Sequence, residues 1–317
     1  MKSRCRGSSW GHFATRPLDT LSTVTPETMK WIVGLDLHPS GAGAIRFARW
    51  LAETSAVSDA LVGIHVLEES YLRAALKYHH LDELIEGATT VAKKSVEAAG
   101  ATSHLGSLHV LQGSTPAESL TAAHAYHAAH GLIIGRQAKK DGRDIFRLGR
   151  VARRILRTLP GPTFVVPPDY ETEAADGPIV AAVSLREDCE VAARFAADLA
   201  KRTGRPLVLL HIVPTPDDYA AHYLPEASLI KMREDNRAEA EDELAKWAAL
   251  YGCADAECVV VLGGIVSETV RFTTERRAAV LVSGSRRLSM FERLLLNSIA
   301  SELAAMATCP VAVVSPR

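Results

Sequence analysis

One pattern of short apolar runs and longer amphipathic stretches occurs twice in this chain, and this repetition is the strongest constraint on its fold. Landmarks recur at a nearly constant distance: Asp36 and Ser184 are 148 residues apart, and Gly135 and Gly284 are 149 apart. A repeat of this length predicts two homologous domains rather than a solenoid of short units. The ten apolar runs are Ile32–Leu35, Ala60–Val66, Leu108–Leu111, Leu132–Ile134, Phe164–Val166, Ile179–Val183, Leu207–Ile212, Cys258–Leu262, Val280–Val282 and Val311–Val314.

The form of the runs predicts the fold class. Continuous apolar runs of about four to seven residues are typical of parallel strands covered on both faces. Their alternation with helical stretches, including a long one from 71 to 99, indicates right-handed βαβ units. We therefore expect an α/β protein with two tandem doubly wound domains, each a five-stranded parallel sheet flanked by helices.

The same pattern sets the expected domain boundaries. Residues 29–168 and 178–317 form the two domains, and the acidic segment 169–177 between prolines is the linker. Residues 1–28 carry no periodic apolar pattern, so they are interpreted as a disordered tail or a misassigned start.

Composition narrows the class of protein. The net charge is −1, so no global field favours nucleic acid or a membrane surface as a partner. No apolar run approaches the roughly 20 residues that cross a bilayer. The five cysteines are odd in number and scattered, which favours a reducing compartment over a disulfide framework. These features predict a soluble, cytoplasmic protein.

Parallel sheets bind ligands outside the carboxyl ends of their strands, where the strand order reverses. In the first domain, Asp36, Val66 and the segment after Gly135 follow the relevant strands. The second domain offers Ser184, Ile212 and the segment after Gly284 at the matching places. A glycine there lets a backbone approach a phosphate closely, and a following helix adds N–H donors.

These residues resemble those of the universal stress proteins, in the tandem form, over about residues 30–317. The resemblance depends on the first strand ending at Asp36, on the histidine–valine pair after the second strand, and on the fourth-strand glycine. It implies the strand order 3-2-1-4-5, pairing of the two fifth strands within the chain, and, in some members, ATP bound by G-x2-G-x9-G-[ST]. The implied binding positions are Asp36, Val66, Gly135, Gly149, Arg150, Ser184, Gly284 and Ser298.

Both copies depart from that motif. In the second domain Arg287 and Asn297 replace the second and third glycines, and Ser184 stands where nucleotide binders of the family carry an aspartate. In the first domain Ala138 replaces the second glycine, one residue is inserted before Gly149, and Arg150 replaces the Ser/Thr. The first domain is therefore the better candidate for adenine nucleotide. Two alternatives stay open: both sites are vestigial, or Asp36 only caps the helix that follows.

Other clusters each have two interpretations. Nine cations between Arg136 and Arg157 form either a solvated helix face or a region that attracts phosphate, with weak nucleic-acid binding as a third reading. His124, His127 and His130 form either an exposed stripe or part of a zinc site. Cys253 and Cys258 lack a second pair for a metal, so no metal site is predicted, and Cys309 is expected to be a buried thiol.

No catalytic motif supports an enzyme. The resemblance implies a regulatory stress-response protein, with ATP or another adenine nucleotide as a switch in the first domain. The alternatives are a nucleotide-free interaction scaffold and a weak ATPase, which needs a carboxylate such as Asp141 or Asp144 for magnesium. The partners expected are an unidentified protein and a second copy of the chain, through the amphipathic stretch Ala238–Leu250. An open cleft at Asp36 and Gly135 favours binding, whereas Arg136 or Arg150 folded into it favours the scaffold.

Overall fold

The computed structural model describes residues 28–38, 41–56, 59–136, 148–171, 176–186, 189–214, 223–285 and 298–316. The predicted tail 1–28, apart from its last residue, and part of the linker lie outside these ranges, and the exact domain boundaries stay a prediction. We call the elements through β5 domain 1 and those from β6 onward domain 2.

Each domain has the predicted alternation of strands and helices. Domain 1 contains β1 (Lys30–Gly34), α1 (Ala42–Thr54), β2 (Ala60–Glu68), α2 (Glu69–Ala75), α3 (Leu81–Ala98), β3 (Leu105–Gly113), α4 (Pro116–Tyr126), β4 (Gly131–Gly135), α5 (Arg150–Thr158) and β5 (Thr163–Val166). Domain 2 contains β6 (Ile179–Val183), α6 (Glu190–Thr203), β7 (Leu207–Val213), α7 (Glu226–Leu250), β8 (Glu257–Leu262), α8 (Ile265–Glu275), β9 (Val280–Gly284), α9 (Ile299–Met306) and β10 (Val311–Val314).

The strands form one ten-stranded sheet in the order β3-β2-β1-β4-β5-β10-β9-β6-β7-β8. Each half therefore has the order 3-2-1-4-5, and all pairings within a half are parallel. The halves meet where β5 and β10 pair antiparallel, with Phe164 opposite Ala312. This confirms the fifth-strand pairing that the family resemblance implied, and it pairs two strand edges that separate domains would expose.

Helices cover both faces of the sheet, which explains why the strands are apolar on both sides. One core contains buried side chains of α1, α3, α6 and α7, and the other contains those of α4, α5, α8 and α9. Each core continues across both domains. Cys309 is buried as predicted, and burial raises the pKa of its thiol to about 12.

One predicted helix is two helices in the structure. The stretch 71–99 is divided into α2 and α3, and the N-cap of α3 is His80. The backbone N–H of His80 donates to the Glu83 carboxylate at 3.2 Å, which is half of a capping box. This cap starts a new helix at Leu81, whereas the apolar spacing alone predicted one continuous helix.

Two glycine-to-alanine substitutions are expected to change stability in opposite directions. A Cβ on Gly43, in α1, would overlap the carbonyl oxygen of Pro167, which follows β5. We expect Gly43→Ala to lower the free energy of unfolding by about 1–3 kcal/mol, because neither backbone segment can move away easily. Gly87 is exposed within α3, where an added Cβ meets nothing within 4 Å.

Gly87→Ala is therefore the matched control, and it is expected to raise the free energy of unfolding by about 0.5–1 kcal/mol through backbone entropy and helix propensity. Urea denaturation of both variants measures the two values. Equal effects of the same sign would contradict the close approach of α1 to Pro167.

Candidate functional site

The candidate site of domain 1 lies where the carboxyl ends of β1 and β4 are adjacent. Residues 31–33 of β1 pair with residues 131–133 of β4, so the segments after Gly34 and Gly135 leave the sheet side by side. The chain after β1 enters α1 on one face, whereas the helix after β4 is α5 on the other face. Such a divergence is the switch point at which open α/β sheets bind ligands.

Asp36 is exposed two residues beyond β1. Its Oδ1 accepts a hydrogen bond from the backbone N–H of His38 at 3.1 Å, which forms a local Asx turn. A Cβ on Gly41 would overlap the backbone oxygen of Asp36, so the turn requires glycine there. Helix α1 has Gly41 as its N-cap and no side-chain cap. Residues 39 and 40, where a cap by Asp36 would act, lie outside the described residues, so the alternative in which Asp36 caps this helix stays a prediction.

Two other strands complete the framework of the candidate site: Gly135 ends β4, whereas Val66 lies two residues before the end of β2. Among the described residues, an added Cβ on Gly135 would meet only the Cβ of Ala44, at 3.9 Å, so these residues leave the backbone there open to close approach. Val66 is half-buried in β2 opposite Leu111. Nδ1 of His65, the preceding residue, hydrogen-bonds the carbonyl oxygen of Leu35 at 2.9 Å and fixes the end of β1 against β2.

The amino end of α5 points toward the same edge of the sheet, because α5 follows β4 and runs back to the start of β5. Its N-cap, Gly149, supplies no side-chain cap, and no acidic residue lies in the first turn. Arg150 extends from this end to Glu68 at the end of β2, with Nη2 to Oε2 at 3.1 Å. The ion pair therefore joins the amino end of α5 to the carboxyl end of β2.

The strength of this ion pair depends on how far its two side chains are exposed to solvent. The Arg150 side chain is 75% exposed and that of Glu68 is 14% exposed. An ion pair with one solvated partner is worth about 1 kcal/mol or less. A phosphate could therefore replace Glu68 as the partner of Arg150 at low cost. The sequence analysis did not identify Glu68, whose only signal was an acidic residue at the end of β2.

The hydroxyl groups at the corresponding positions of domain 2 have hydrogen-bond partners within that domain. Oγ of Ser184, the counterpart of Asp36, lies 3.1 Å from Sγ of Cys189, the counterpart of Gly41. Ser298 is the N-cap of α9, and its Oγ accepts from the backbone N–H of Ser301 at 3.2 Å. Gly284 ends β9 beside β10. Among the described residues, the hydroxyls at these two domain 2 positions thus already have partners within that domain.

Two further arginines of the predicted cation cluster, Arg136 and Arg154, have partners within the chain. Arg136 Nη1 donates to the carbonyl oxygens of Ala305 and Ala307, at 2.6 and 2.9 Å, and burial lowers the pKa of its guanidinium. Arg154 pairs with Glu118, whose pKa is lowered by hydrogen bonds from Ser114 and Thr115 and by the charge of Arg154. Arg136 therefore extends to domain 2 instead of into the site.

Several predicted positions lie outside the described residues. They include most of the segment 136–149 and both candidate magnesium ligands, together with the departures from the motif at Ala138, Arg287 and Asn297. Within the described ranges, no group of three or more His, Cys, Asp or Glu residues is placed to hold a metal ion.

The prediction that three histidines share one helix is wrong, because α4 ends at Tyr126: His124 lies in α4, His127 is its C-cap, and His130 directly precedes β4. His130 Nδ1 accepts from the backbone N–H of Lys30 at 2.9 Å, and the His127 ring lies 5.6 Å from that of His109. The pKa of His127 is lowered, mainly by burial and also by the charges of His109 and Lys30. Among the described helices, none is both long and apolar enough to cross a membrane.

Comparisons with known proteins agree with this architecture. The model of the universal stress protein family matches residues 28–167 and again 177–315. A universal stress protein from Mycolicibacterium smegmatis is 25% identical over 297 residues, covering 90% of this chain and 97% of the relative.

Solved structures share the fold at low sequence identity. A putative universal stress protein from Pseudomonas aeruginosa superposes with a TM-score of 0.62 at 14% identity, covering 91% of this chain and 93% of that one. One from Archaeoglobus fulgidus gives 0.58 at 16% identity, covering 90% and 98%. Because the family model matches both halves, the chain belongs to the universal stress protein family and carries two of its domains in tandem.

Proposed function

We propose that this protein is a regulatory universal stress protein that binds an adenine nucleotide in domain 1, at the adjacent ends of β1 and β4. The observation that carries the proposal is the open backbone at Gly135 beside an exposed carboxylate at Asp36. A ligand with both a base or ribose and a phosphate needs this combination of a hydrogen-bond acceptor and an approachable backbone.

Each group has a role that follows from its chemistry. The Asp36 carboxylate accepts from the adenine amino group or a ribose hydroxyl, and Val66 packs against the base. Phosphate oxygens meet the backbone at Gly135, the N–H groups in the first turn of α5 behind Gly149, and the Arg150 guanidinium. Arg150 exchanges Glu68 for the phosphate, so that binding changes the surface between α5 and β2. This change is the switch that a protein partner would detect.

The rival function is a nucleotide-free scaffold, and the Arg150–Glu68 ion pair favours it, because it already occupies the guanidinium that would bind phosphate. In that case the ion pair is permanent, and the surface over domain 1 is the same with and without nucleotide. Hydrolysis of ATP would require in addition a magnesium ligand near the phosphates. The two functions therefore differ in one measurable quantity, the affinity for nucleotide.

Calorimetric titration of ATP with magnesium into the full chain tests the proposal. We expect about one site per chain with a dissociation constant of micromolar order, about −8 kcal/mol. Asp36→Ala should weaken binding about tenfold or more, the value of one hydrogen bond to a charged group. Ser184→Ala, the matched change in domain 2, should leave it unchanged. Absence of binding at millimolar ATP would leave the scaffold, and binding lost only in Ser184→Ala would move the site to domain 2.

A further inference from the structure

Arg136 connects the ligand end of β4 to the other domain. It directly follows Gly135, and its backbone N–H donates to Val166 O at 2.7 Å, which extends the β4–β5 pairing by one residue. Its side chain crosses to domain 2, where Nη1 donates to the carbonyl oxygens of Ala305 and Ala307. These are carbonyls at the C-terminal end of α9, which a cation stabilises.

The second domain does not reproduce this bridge. Ser285, the counterpart of Arg136, makes the same backbone bond, to Val314 O at 2.7 Å, but carries a short hydroxyl side chain. The counterpart of α9 is α5, which ends on Leu159 in the left-handed conformation with φ 40°. The bridge therefore runs from the domain 1 site to α9, and it breaks the symmetry of the repeat.

Helix α9 also begins at a candidate-site residue. Its N-cap is Ser298, the last motif position of domain 2, and its eight residues span about 12 Å. One short helix thus has a domain 2 site residue at its start and the Arg136 guanidinium at its end. A displacement of Arg136 would be transmitted to α9 through two hydrogen bonds.

We propose that Arg136 is a positioning residue for the nucleotide site of domain 1: by its attachment to α9 it holds the end of β4, at Gly135 and Arg136, in the geometry that receives phosphate. This inference rests on the nucleotide binding proposed above. It makes the affinity of domain 1 dependent on domain 2. When the attachment is removed, the ligand must order one more backbone residue, which corresponds to about fivefold to tenfold weaker binding.

The test compares two arginines that do the same structural task. Arg49 Nη1 donates to Ala99 O at 3.1 Å, at the C-cap of α3. Arg136→Met and Arg49→Met each remove a guanidinium from a helix C-terminus. In titrations of the full chain with ATP and magnesium, we expect about fivefold to tenfold weaker binding in Arg136→Met only. Arg136→Lys should recover part of the affinity, because a lysine ammonium can still reach helix carbonyls as a point charge.

A ligand-free measurement separates this inference from the proposed function. Amide hydrogen exchange of Arg136→Met should accelerate both at the end of β4 and in the last turn of α9, whereas Arg49→Met should accelerate exchange near Ala99. If wild-type protein binds no ATP, the proposed function fails, and the exchange data still decide whether the attachment positions β4. Wild-type affinity in Arg136→Met, equal weakening in Arg49→Met, or unchanged exchange at the end of β4 would each overturn the role of Arg136.

Discussion

Replacing Phe164 with alanine is expected to lower the free energy of unfolding by about 3–5 kcal/mol, the cost of truncating a fully buried phenylalanine. Phe164 is 0% exposed at the centre of an aromatic cluster. Its ring centroid lies 5.2 Å from Trp31 and 4.9 Å from Phe47 in domain 1, and 6.1 Å from Phe195 in domain 2. The side chain therefore contributes to the cores of both domains at once.

The neighbours of Phe164 cannot fill the cavity. The residue opposite on β10 is Ala312, whose methyl group cannot extend into the cavity, and the pairing of β5 with β10 fixes the backbone. Urea denaturation of Phe164→Ala measures the loss, and Tyr126→Ala is the control, because Tyr126 is 86% exposed and should change stability by about 0.5 kcal/mol or less. A loss below about 1 kcal/mol in Phe164→Ala would mean that the surrounding side chains move in and fill the cavity. That result would contradict the rigidity expected of a packed core.

The cluster around Phe164 also illustrates what the sequence could predict. The runs Ile179–Val183 and Val311–Val314 are strands with those bounds, because a strand buried on both faces is apolar at every position. The internal repeat supplied a second copy of each element, so weak signals in one half were supported by the other. Helix α7 shows the limit of this pattern. It begins at Glu226, well before the amphipathic stretch that starts at Ala238. The apolar pattern does not reveal these first turns, because most of their residues are exposed.

Positions in the candidate site were predictable where they depend on local chain order. Asp36 and Gly135 could be selected as candidates because they lie at or just beyond the carboxyl ends of β1 and β4, and those ends can be read from the chain order. The partners of Arg150 and Arg136 could not be identified, since Glu68 is 82 residues away and Ala305 is 169 away. Those contacts depend on the sheet order and on the antiparallel junction, and no short-range pattern encodes either. The sequence therefore predicts the framework of the site more completely than the charges around it.

Replacing Asp59 with alanine is the second change expected to have a large effect, about 3–5 kcal/mol, because it removes one member of a buried ion pair between the domains. Asp59 is 3% exposed between α1 and β2. Its carboxylate accepts from Trp31 Nε1 at 3.0 Å and from Ser55 Oγ at 3.3 Å, and it pairs with Arg202 at the end of α6 in domain 2. Arg202 also accepts from Ala56 N–H through its carbonyl oxygen at 3.0 Å.

Three variants separate charge from hydrogen bonding at this seam, with stability measured by urea denaturation. Asp59→Ala leaves the indole N–H of Trp31 and the guanidinium of Arg202 without the carboxylate. Asp59→Asn keeps one acceptor oxygen and should cost less, and the difference reports the value of the charge. Glu241→Ala is the exposed control, because its pair with Arg237 has both side chains more than half exposed and should contribute about 0.5 kcal/mol or less.

Because Asp59 precedes β2, it lies at the opposite end of the sheet from Asp36, which follows β1. Asp59→Ala should therefore lower the free energy of unfolding without changing the affinity for nucleotide, whereas Arg136→Met should change that affinity. A cost near zero in Asp59→Ala would mean that solvent or another acceptor replaces the carboxylate. The domains would then be held together mainly by the β5–β10 pairing and the aromatic cluster around Phe164.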